Sequence, residues 1–395
     1  QMCIRDRLRV MDSGYLSLFE GSHTPDHPFS FKGGPEVQNL ENEWCEYYSI
    51  RHSISVNSAT SGLYAAIGAL SIGYGDEVIV SPYTMSACAL APLIYGAIPV
   101  FADVELTTGS LDPVSVEEKI SSRTKAILVV HQFGIPADMD AIMLLAKKYN
   151  LSVIEDCAQA HGAKYKDRFV GTIGDIGVFS LNVNKTIQAG EGGICVTNNE
   201  ELAYRIQLIR NHGEAALIAP KKLDLNRLRV GFNLRPTEIT AALALSQLER
   251  RHELHNLREE NYEYLCNSFK GFLDPVDGSK SQKPYCGSFF LSSEQKDLKI
   301  ALIEECSRQG IPLFGNYPLE HWEIGASFGS DVDLKDFPGT LYYLKRYIGI
   351  FSIAYPNSKV NMRYLAEKIL SILDEMPENL EIKERSKSFN IGRTF

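Results

Sequence analysis

Residues 126–156 read AILVVHQFGIPADMDAIMLLAKKYNLSVIED. Ala126–Val130 is apolar at every position, the pattern of a strand buried on both faces. Met139–Tyr149 then reads as a helix and Ser152–Ile154 as the next strand. A strand, a helix and a second strand in one short run form the unit from which parallel sheets are built. The alternation continues on both sides. Upstream, strands are expected at Ser53–Val56, Glu77–Val80 and Ile98–Ala102, and helices at Val37–Tyr48, Thr60–Leu70, Ser86–Tyr95 and Val114–Ile120. Downstream come strands Ile176–Ser180 and Gly193–Thr197, helix Glu200–Asn211, and a long helical run, TEITAALALSQLERRHELHNLREENYEYL. Pro236 opens that run, where a missing N–H costs nothing.

The expected fold class is therefore α/β, with a large, mostly parallel sheet covered on both faces. From Cys266 the pattern changes to strand Gly287–Ser292, helix Leu298–Gln309, strand Ile311–Phe314 and helix Met362–Leu373, a smaller α+β domain. The expected division is a loop-rich arm at 1–44, a large domain at 45–265 and the small domain at 266–395. The basic stretch QMCIRDRLRV at 1–10 lacks an apolar signal core, reads as a non-native extension, and carries no weight in this fold.

Composition sets the outer limits. With 40 Lys and Arg against 49 Asp and Glu the net charge is −9, which argues against non-specific nucleic-acid or anionic-membrane binding. The most apolar stretch, Ala87–Phe101, is interrupted by Pro92, Gly96 and Pro99 and falls short of the roughly 18 residues of a span. Eight cysteines stand singly with no CxxC pair, so no metal site is expected and the thiols read as reduced and cytoplasmic.

Three features carry chemistry. NSATSG at 57–62 follows a strand and opens a helix, so small residues and helix-start amides could cradle a phosphate; taken alone, the same residues read more often as an ordinary cap by Ser58 or Thr60. VIEDCAQAHG at 153–162 sets acidic residues at the carboxyl end of a buried strand, where open α/β sheets place ligands; the alternative is a turn cap. GVFSLNVNK at 177–185 leads into GEGG at 190–193, which puts Lys185 beside a buried strand and a glycine turn. Most lysines are solvated, but one held in such a pocket can lose its proton and act as a nucleophile. Pyridoxal phosphate needs all three: a lysine for its imine, an acid beside its ring nitrogen and donors for its phosphate. His131, His161 and His212 are open between core hydrogen bonding and a site role.

With these features on the chain, the sequence resembles the sugar aminotransferases of the DegT/DnrJ/StrS type. The resemblance runs from Gly33 to Gln247 through NSATSGL, GYGDEVIVSPYT, GAIPVFADVE, KAILVVHQFG, VIEDCAQAHGA, GTIGDIGVFSLNVNKTIQAGEGG, IRNHGE and NLRPTEITAALALSQLE. It implies the fold type I aminotransferase architecture and pyridoxal 5′-phosphate as cofactor. It makes Lys185 the imine-forming lysine, Asp156 the partner of the ring nitrogen and Gln159 the neighbour of the phenolic oxygen. Ala59, Thr60 and Ser180 become phosphate contacts, and Asn233 reaches the phosphate of a neighbouring subunit in a homodimer with shared active sites. The family has an aromatic residue after Thr84 to stack on the ring. This chain has Met85, whose thioether packs on a π face, and Tyr83 is the other residue placed to cover it. The loop with Phe29, Phe31 and Lys32, and the stretch NYPLEHWEIGASFGSDVDL, would line the substrate side.

The resemblance implies amino transfer from L-glutamate or L-glutamine to a keto sugar, nucleotide-linked, in amino-sugar, polysaccharide or secondary-metabolite biosynthesis. Other readings keep the fold: amination of a keto-cyclitol, an aromatising or dehydrating reaction, or a cofactor-binding regulatory protein without catalysis. The dehydrating branch has histidine where this chain has Lys185.

Overall fold

The strands, in chain order, are β1 His52–Val56, β2 Glu77–Val80, β3 Ile98–Phe101, β4 Thr124–Val130, β5 Ser152–Asp156, β6 Lys164–Tyr165, β7 Arg168–Phe169, β8 Ile176–Ser180, β9 Gly193–Thr197, β10 Leu273–Pro275, β11 Gly287–Leu291 and β12 Tyr347–Ile350. The helices are α1 Met2–Ser13, α2 Pro35–Tyr48, α3 Ala59–Ala69, α4 Ala87–Leu93, α5 Pro113–Lys119, α6 Met139–Tyr149, α7 Glu200–Arg210, α8 Glu238–Glu249, α9 Arg251–Ser268, α10 Lys296–Arg308, α11 Pro338–Arg346 and α12 Lys359–Glu375. These come from a computed structural model that describes residues 2–20, 28–213, 230–276, 283–291, 296–315 and 333–376.

Seven strands form the main sheet in the order β1-β9-β8-β5-β4-β2-β3. The run from β8 to β3 is parallel throughout, whereas β9 is antiparallel to both β8 and β1. Alternate side chains feed two cores. Ile54, Val56, Val78, Val80, Leu128, Ile154 and Val178 pack on α3, α4 and α7. Ile79, Ile127, Val129 and Val153 face α6, and Phe179, Ile194 and Val196 face α2 and α8. A strand with apolar side chains on both faces has no wet side, so its sequence shows no alternation.

Register decides where a ligand can sit. Asp156 ends β5 opposite Val178, and Ser180 ends β8 opposite Gly193. Gly193 also pairs with Val56, the end of β1. Because β9 runs the other way, its first residue meets the last residues of its neighbours at one edge of the sheet.

The second sheet, β10-β11-β12, is antiparallel. Its core joins Phe269, Phe289, Leu302, Ile348, Ile350, Met362 and Ile369. An aromatic cluster bridges the two sheets, in which Phe133 stacks on Tyr347 with centroids 4.3 Å apart and planes within 10°.

Several expectations need correction. The single long helix is two, α8 and α9, parted at Arg250 with φ −89° and ψ 7°. The reason is packing: Ala241, Ala244 and Leu248 must meet α2, while Leu265 must enter the second core. The strand expected at Ile311–Phe314 reduces to one bridge, Phe314 with Gly349. Residues 2–10, expected to carry no weight in the fold, lie in α1, where Val10 is buried. No described helix is long and apolar enough to cross a membrane.

Candidate active site

At the carboxyl edge of the main sheet a cleft of about 420 Å³ opens against the second sheet. Ser58 caps α3 by accepting from Ser61 N at 3.1 Å. The amides of Ala59 and Thr60, in the first helical turn, lie beyond reach of any intrahelical acceptor and face an anion-favouring dipole end. Gly193 makes this turn possible: a Cβ there would stand 2.6–2.7 Å from the backbone of Ser58 and Ala59. Ser180 lines the cleft beside this turn.

Asp156 lies on the floor. Its Oδ1 accepts from Ala158 N at 2.9 Å and its Oδ2 from the Cys88 thiol at 3.1 Å. Glu155, one residue earlier, points to the opposite face of the sheet and is fully buried. It accepts from His131 Nε2 at 2.9 Å and from the amides of Gly171, Ile173 and Gly174 at 2.7, 2.7 and 2.6 Å. Burial opposes its charge, but His131 and these amides outweigh burial and hold it below the usual carboxylate range. Of the acidic pair, only Asp156 reaches the cleft.

Lys185 follows β8 in a turn closed by its own N–H on Asn182 O at 2.9 Å. Its Nζ donates to Tyr285 Oη at 3.0 Å and lies 4.5 Å from the centre of that ring. Burial lowers the amine from 10.5 to about 8; Asp156 pulls it back up and Arg258 adds to the depression. An amine with that value is partly neutral near physiological pH.

Gln159 holds the cleft wall through Oε1, which accepts from Phe133 N at 2.8 Å. Phe133 adopts φ +57° and Gly134 φ +86°, a left-handed pair at which a Cβ on Gly134 would collide with Lys283 O. That approach lets Lys283 N and Tyr285 N bond the carbonyls of Gly134 and Phe133, each at 3.1 Å.

Seven of the eight site residues expected from the sequence converge here: Ala59, Thr60, Met85, Asp156, Gln159, Ser180 and Lys185 all line the cleft. Met85 is half-exposed there, whereas Tyr83 is fully buried among Phe133, Tyr343 and Tyr347 and does not line it. Asn233 is exposed and lies outside this cleft, with Oδ1 accepting from Arg235 Nε at 3.0 Å.

The three open histidines also lie outside it. His131 Nδ1 accepts from Ala137 N at 3.1 Å, which assigns the proton to Nε2 and makes the ring a neutral core donor to Glu155. His131, Glu155 and Cys157 offer ligand atoms within 4.8 Å of one another; His131 is committed to hydrogen bonds with Glu155 and Ala137 N, and Cys157 is buried beside them. His161 is buried edge-on against Trp44 and Phe179, and burial drives it well below the usual imidazole range. His212 is exposed at φ +65°. Phe31 packs on Leu208 and Phe29 sits edge-on to Tyr15 at 6.3 Å, away from the cleft. Most of the stretch NYPLEHWEIGASFGSDVDL lies outside the described residues.

The sequence reading did not foresee Cys88, Tyr285, Phe314 and Phe351. The last three form the wall contributed by the second sheet and its flanking segments, with Tyr285–Phe351 centroids 5.4 Å apart and Phe314–Phe351 5.3 Å. No local spacing announces them.

The donor set suits pyridoxal phosphate. A cap turn narrowed by Gly193 fits the phosphate, a desolvated lysine fits the aldehyde, and a carboxylate with two hydrogen-bond donors fits a protonated ring nitrogen.

Comparison with known proteins agrees. The sequence model of the DegT/DnrJ/EryC1/StrS aminotransferase family matches residues 26–346. The chain is 38% identical over 286 residues to the spore coat polysaccharide biosynthesis protein SpsC of Bacillus subtilis (strain 168), covering 69% of this chain and 68% of that protein. It is 39% identical over 248 residues to the GDP-perosamine synthase of Escherichia coli O157:H7, covering 61% and 67%. Among solved structures it resembles the aminotransferase from Psychrobacter cryohalolentis, with TM-score 0.80 and 29% identity over 95% of this chain and 97% of that one. The architecture is that of fold type I aminotransferases.

Proposed function

The chain belongs to the DegT/DnrJ/EryC1/StrS aminotransferase family, and from that premise we propose that it moves an amino group from L-glutamate or L-glutamine to a nucleotide-linked keto sugar, with pyridoxal phosphate held in the cleft. The observation that carries this reading is the amine of Lys185, lowered to about 8 by burial and facing the same cleft as Asp156 and the Ser58–Ser61 turn.

When bound, pyridoxal phosphate supplies an aldehyde that captures amines and a ring that takes up electrons from the α-carbon. The chain does the rest. Ala59, Thr60 and Ser180 hold the phosphate and so fix the ring's position. Asp156, held by Cys88 and Ala158, keeps a proton on the ring nitrogen. Gln159 lines the cleft with its Oε1 held by Phe133 N and would stand beside the phenolic oxygen. Met85 covers a ring face. Lys185 would serve as the general base that takes a proton from the donor α-carbon and as the general acid that delivers it to the carbon that had carried the aldehyde. A keto sugar then runs the same steps in reverse, which gives ping-pong kinetics.

The homodimer, the cytoplasmic location and the division at 1–44, 45–265 and 266–395 belong to the same proposal. Asn233, exposed and outside its own cleft, is available to a second subunit's phosphate. The described cysteines are all free thiols. The name of one relative, the GDP-perosamine synthase, supports a nucleotide-linked sugar as the acceptor class.

The test is reduction of the holoprotein with borohydride followed by digestion. A pyridoxyl tag on the peptide holding Lys185 supports the reading, and a tag elsewhere or nowhere ends it. Incubation with glutamate and a panel of keto-sugar nucleotides, read by mass spectrometry, then identifies the acceptor.

A further inference from the structure

We propose that Tyr285 is a further catalytic residue of this site, whose hydroxyl holds the Nζ of Lys185 whenever that amine is free and aims it into the cleft. The inference rests on Lys185 being the cofactor lysine and adds a group from the facing wall of the same cleft.

The contact joins residues 100 positions apart, with Nζ 3.0 Å from Oη and 4.5 Å from the ring centre. Among the described residues no other side chain hydrogen-bonds this amine. A lysine released from its cofactor bond has four freely turning side-chain torsions, and each wrong rotamer takes the base away from the α-carbon. One fixed partner removes most of that search.

Tyr285 itself cannot wander. It is buried, its N–H bonds Phe133 O at 3.1 Å, and its ring packs on Phe351. Arg258, a buried residue of α9, donates one Nη to Tyr285 O and the other to Asn184 O at 3.1 Å. One guanidinium thus ties the turn that carries Lys185 to the segment that carries Tyr285. Arg258 is a positioning residue that acts through this pair.

The hydroxyl suits both states of the amine. Burial pushes the Tyr285 phenol above its usual range, so it keeps its proton. It then accepts from the ammonium and donates to the neutral amine, and the proton that moves during transfer remains the lysine's own.

Tyr285→Phe tests this in two ways. In the protein stripped of cofactor, the pH profile of Lys185 labelling by an amine reagent is read on its peptide by mass spectrometry. Losing an acceptor for the ammonium moves the midpoint down by about half a unit or more. In the holoenzyme, single-turnover bleaching with L-glutamate slows about tenfold or more at an unchanged half-saturating glutamate concentration. The isotope effect from α-deuterated glutamate rises as proton transfer becomes slower. Arg258→Lys, which cannot reach both carbonyls in the same way, moves each readout in the same direction by less. A wild-type labelling midpoint together with a wild-type bleaching rate in Tyr285→Phe overturns the proposal. Wild-type protein that never bleaches with glutamate or glutamine overturns the functional reading instead, and the labelling profile still decides the Tyr285 contact.

Discussion

Cys88 Sγ lies 3.1 Å from Asp156 Oδ2, inside the core and beneath the cleft. Burial first, and then the neighbouring carboxylate, push this thiol well above its usual range, so it stays protonated and serves as a donor. Cys88→Ala removes that donor from a buried carboxylate. The expected cost is about 1–3 kcal/mol of stability, since a charged acceptor is left one bond short. The rate of the first half-reaction should fall several-fold with it. Cys88→Ser keeps a donor and should restore most of both, as read by thermal midpoint and stopped-flow bleaching.

The site residues themselves make sharper predictions. Lys185→Ala should lower turnover by at least about a thousandfold while pyridoxal phosphate still binds through the Ser58–Ser61 turn. Asp156→Asn should keep the cofactor yet slow the proton shift by about a hundredfold. Equilibrium dialysis measures the first property and single-turnover kinetics the second. Wild-type turnover in Lys185→Ala would exclude it as the reacting amine.

Much of this site was legible in the sequence because β1, β5 and β8 each end within a few residues of a chemical side chain. Once a strand is recognised, its carboxyl end and the turn beyond it follow, which is how Thr60, Asp156 and Lys185 were found. What lay beyond reach was everything that depends on distant packing. Tyr285 meets Lys185 only because Phe133 and Gly134 take left-handed turns that dock the 283–285 segment. Tyr83 reads like a ring-covering aromatic, but the bridge of rings between the sheets claims it. The break at Arg250 is invisible to propensity, because the residues on both sides are good helix formers and only their two separate cores force the bend.

Asp103, on the loop after β3, caps α11 from the other sheet. Its Oδ2 accepts from Gly339 N at 2.6 Å, and its Oδ1 from Thr340 N at 2.8 Å and Thr340 Oγ1 at 2.9 Å. Asp103→Ala should cost about 2–4 kcal/mol, because a buried helix start loses its acceptors. Since the wall of Tyr285, Phe314 and Phe351 comes from that side, kcat/KM should fall as well. Urea denaturation and steady-state kinetics on the same preparation check both.

Gly134→Ala adds a methyl that would collide with Lys283 O, at φ +86° where a side chain is strained in any case. The 283–285 segment must shift, taking Tyr285 away from Lys185. The bleaching rate should drop about tenfold or more at modest loss of stability. A crystal structure of the variant would show the displaced segment. Unchanged kinetics would mean that the docking of 283–285 on this turn is irrelevant to the chemistry.

The depressed Lys185 amine also sets a pH dependence of stability in the protein stripped of cofactor. Folded, it titrates at about 8; unfolded, at its ordinary 10.5. Below about 8 both states carry the proton, and the folded state bears the cost of a buried charge. Between 8 and 10.5 the unfolded chain binds more protons than the folded one, so stability rises with pH across that window. The drop from 10.5 to about 8 corresponds to up to about 3 kcal/mol, trimmed by the water that the cleft admits. Lys185→Met has no such group to titrate. The gap in unfolding free energy between this variant and the native protein should therefore be largest near pH 7 and shrink toward pH 10. Parallel curves for the two proteins over that range would show that the lysine is not desolvated, and would remove the basis for its reactivity.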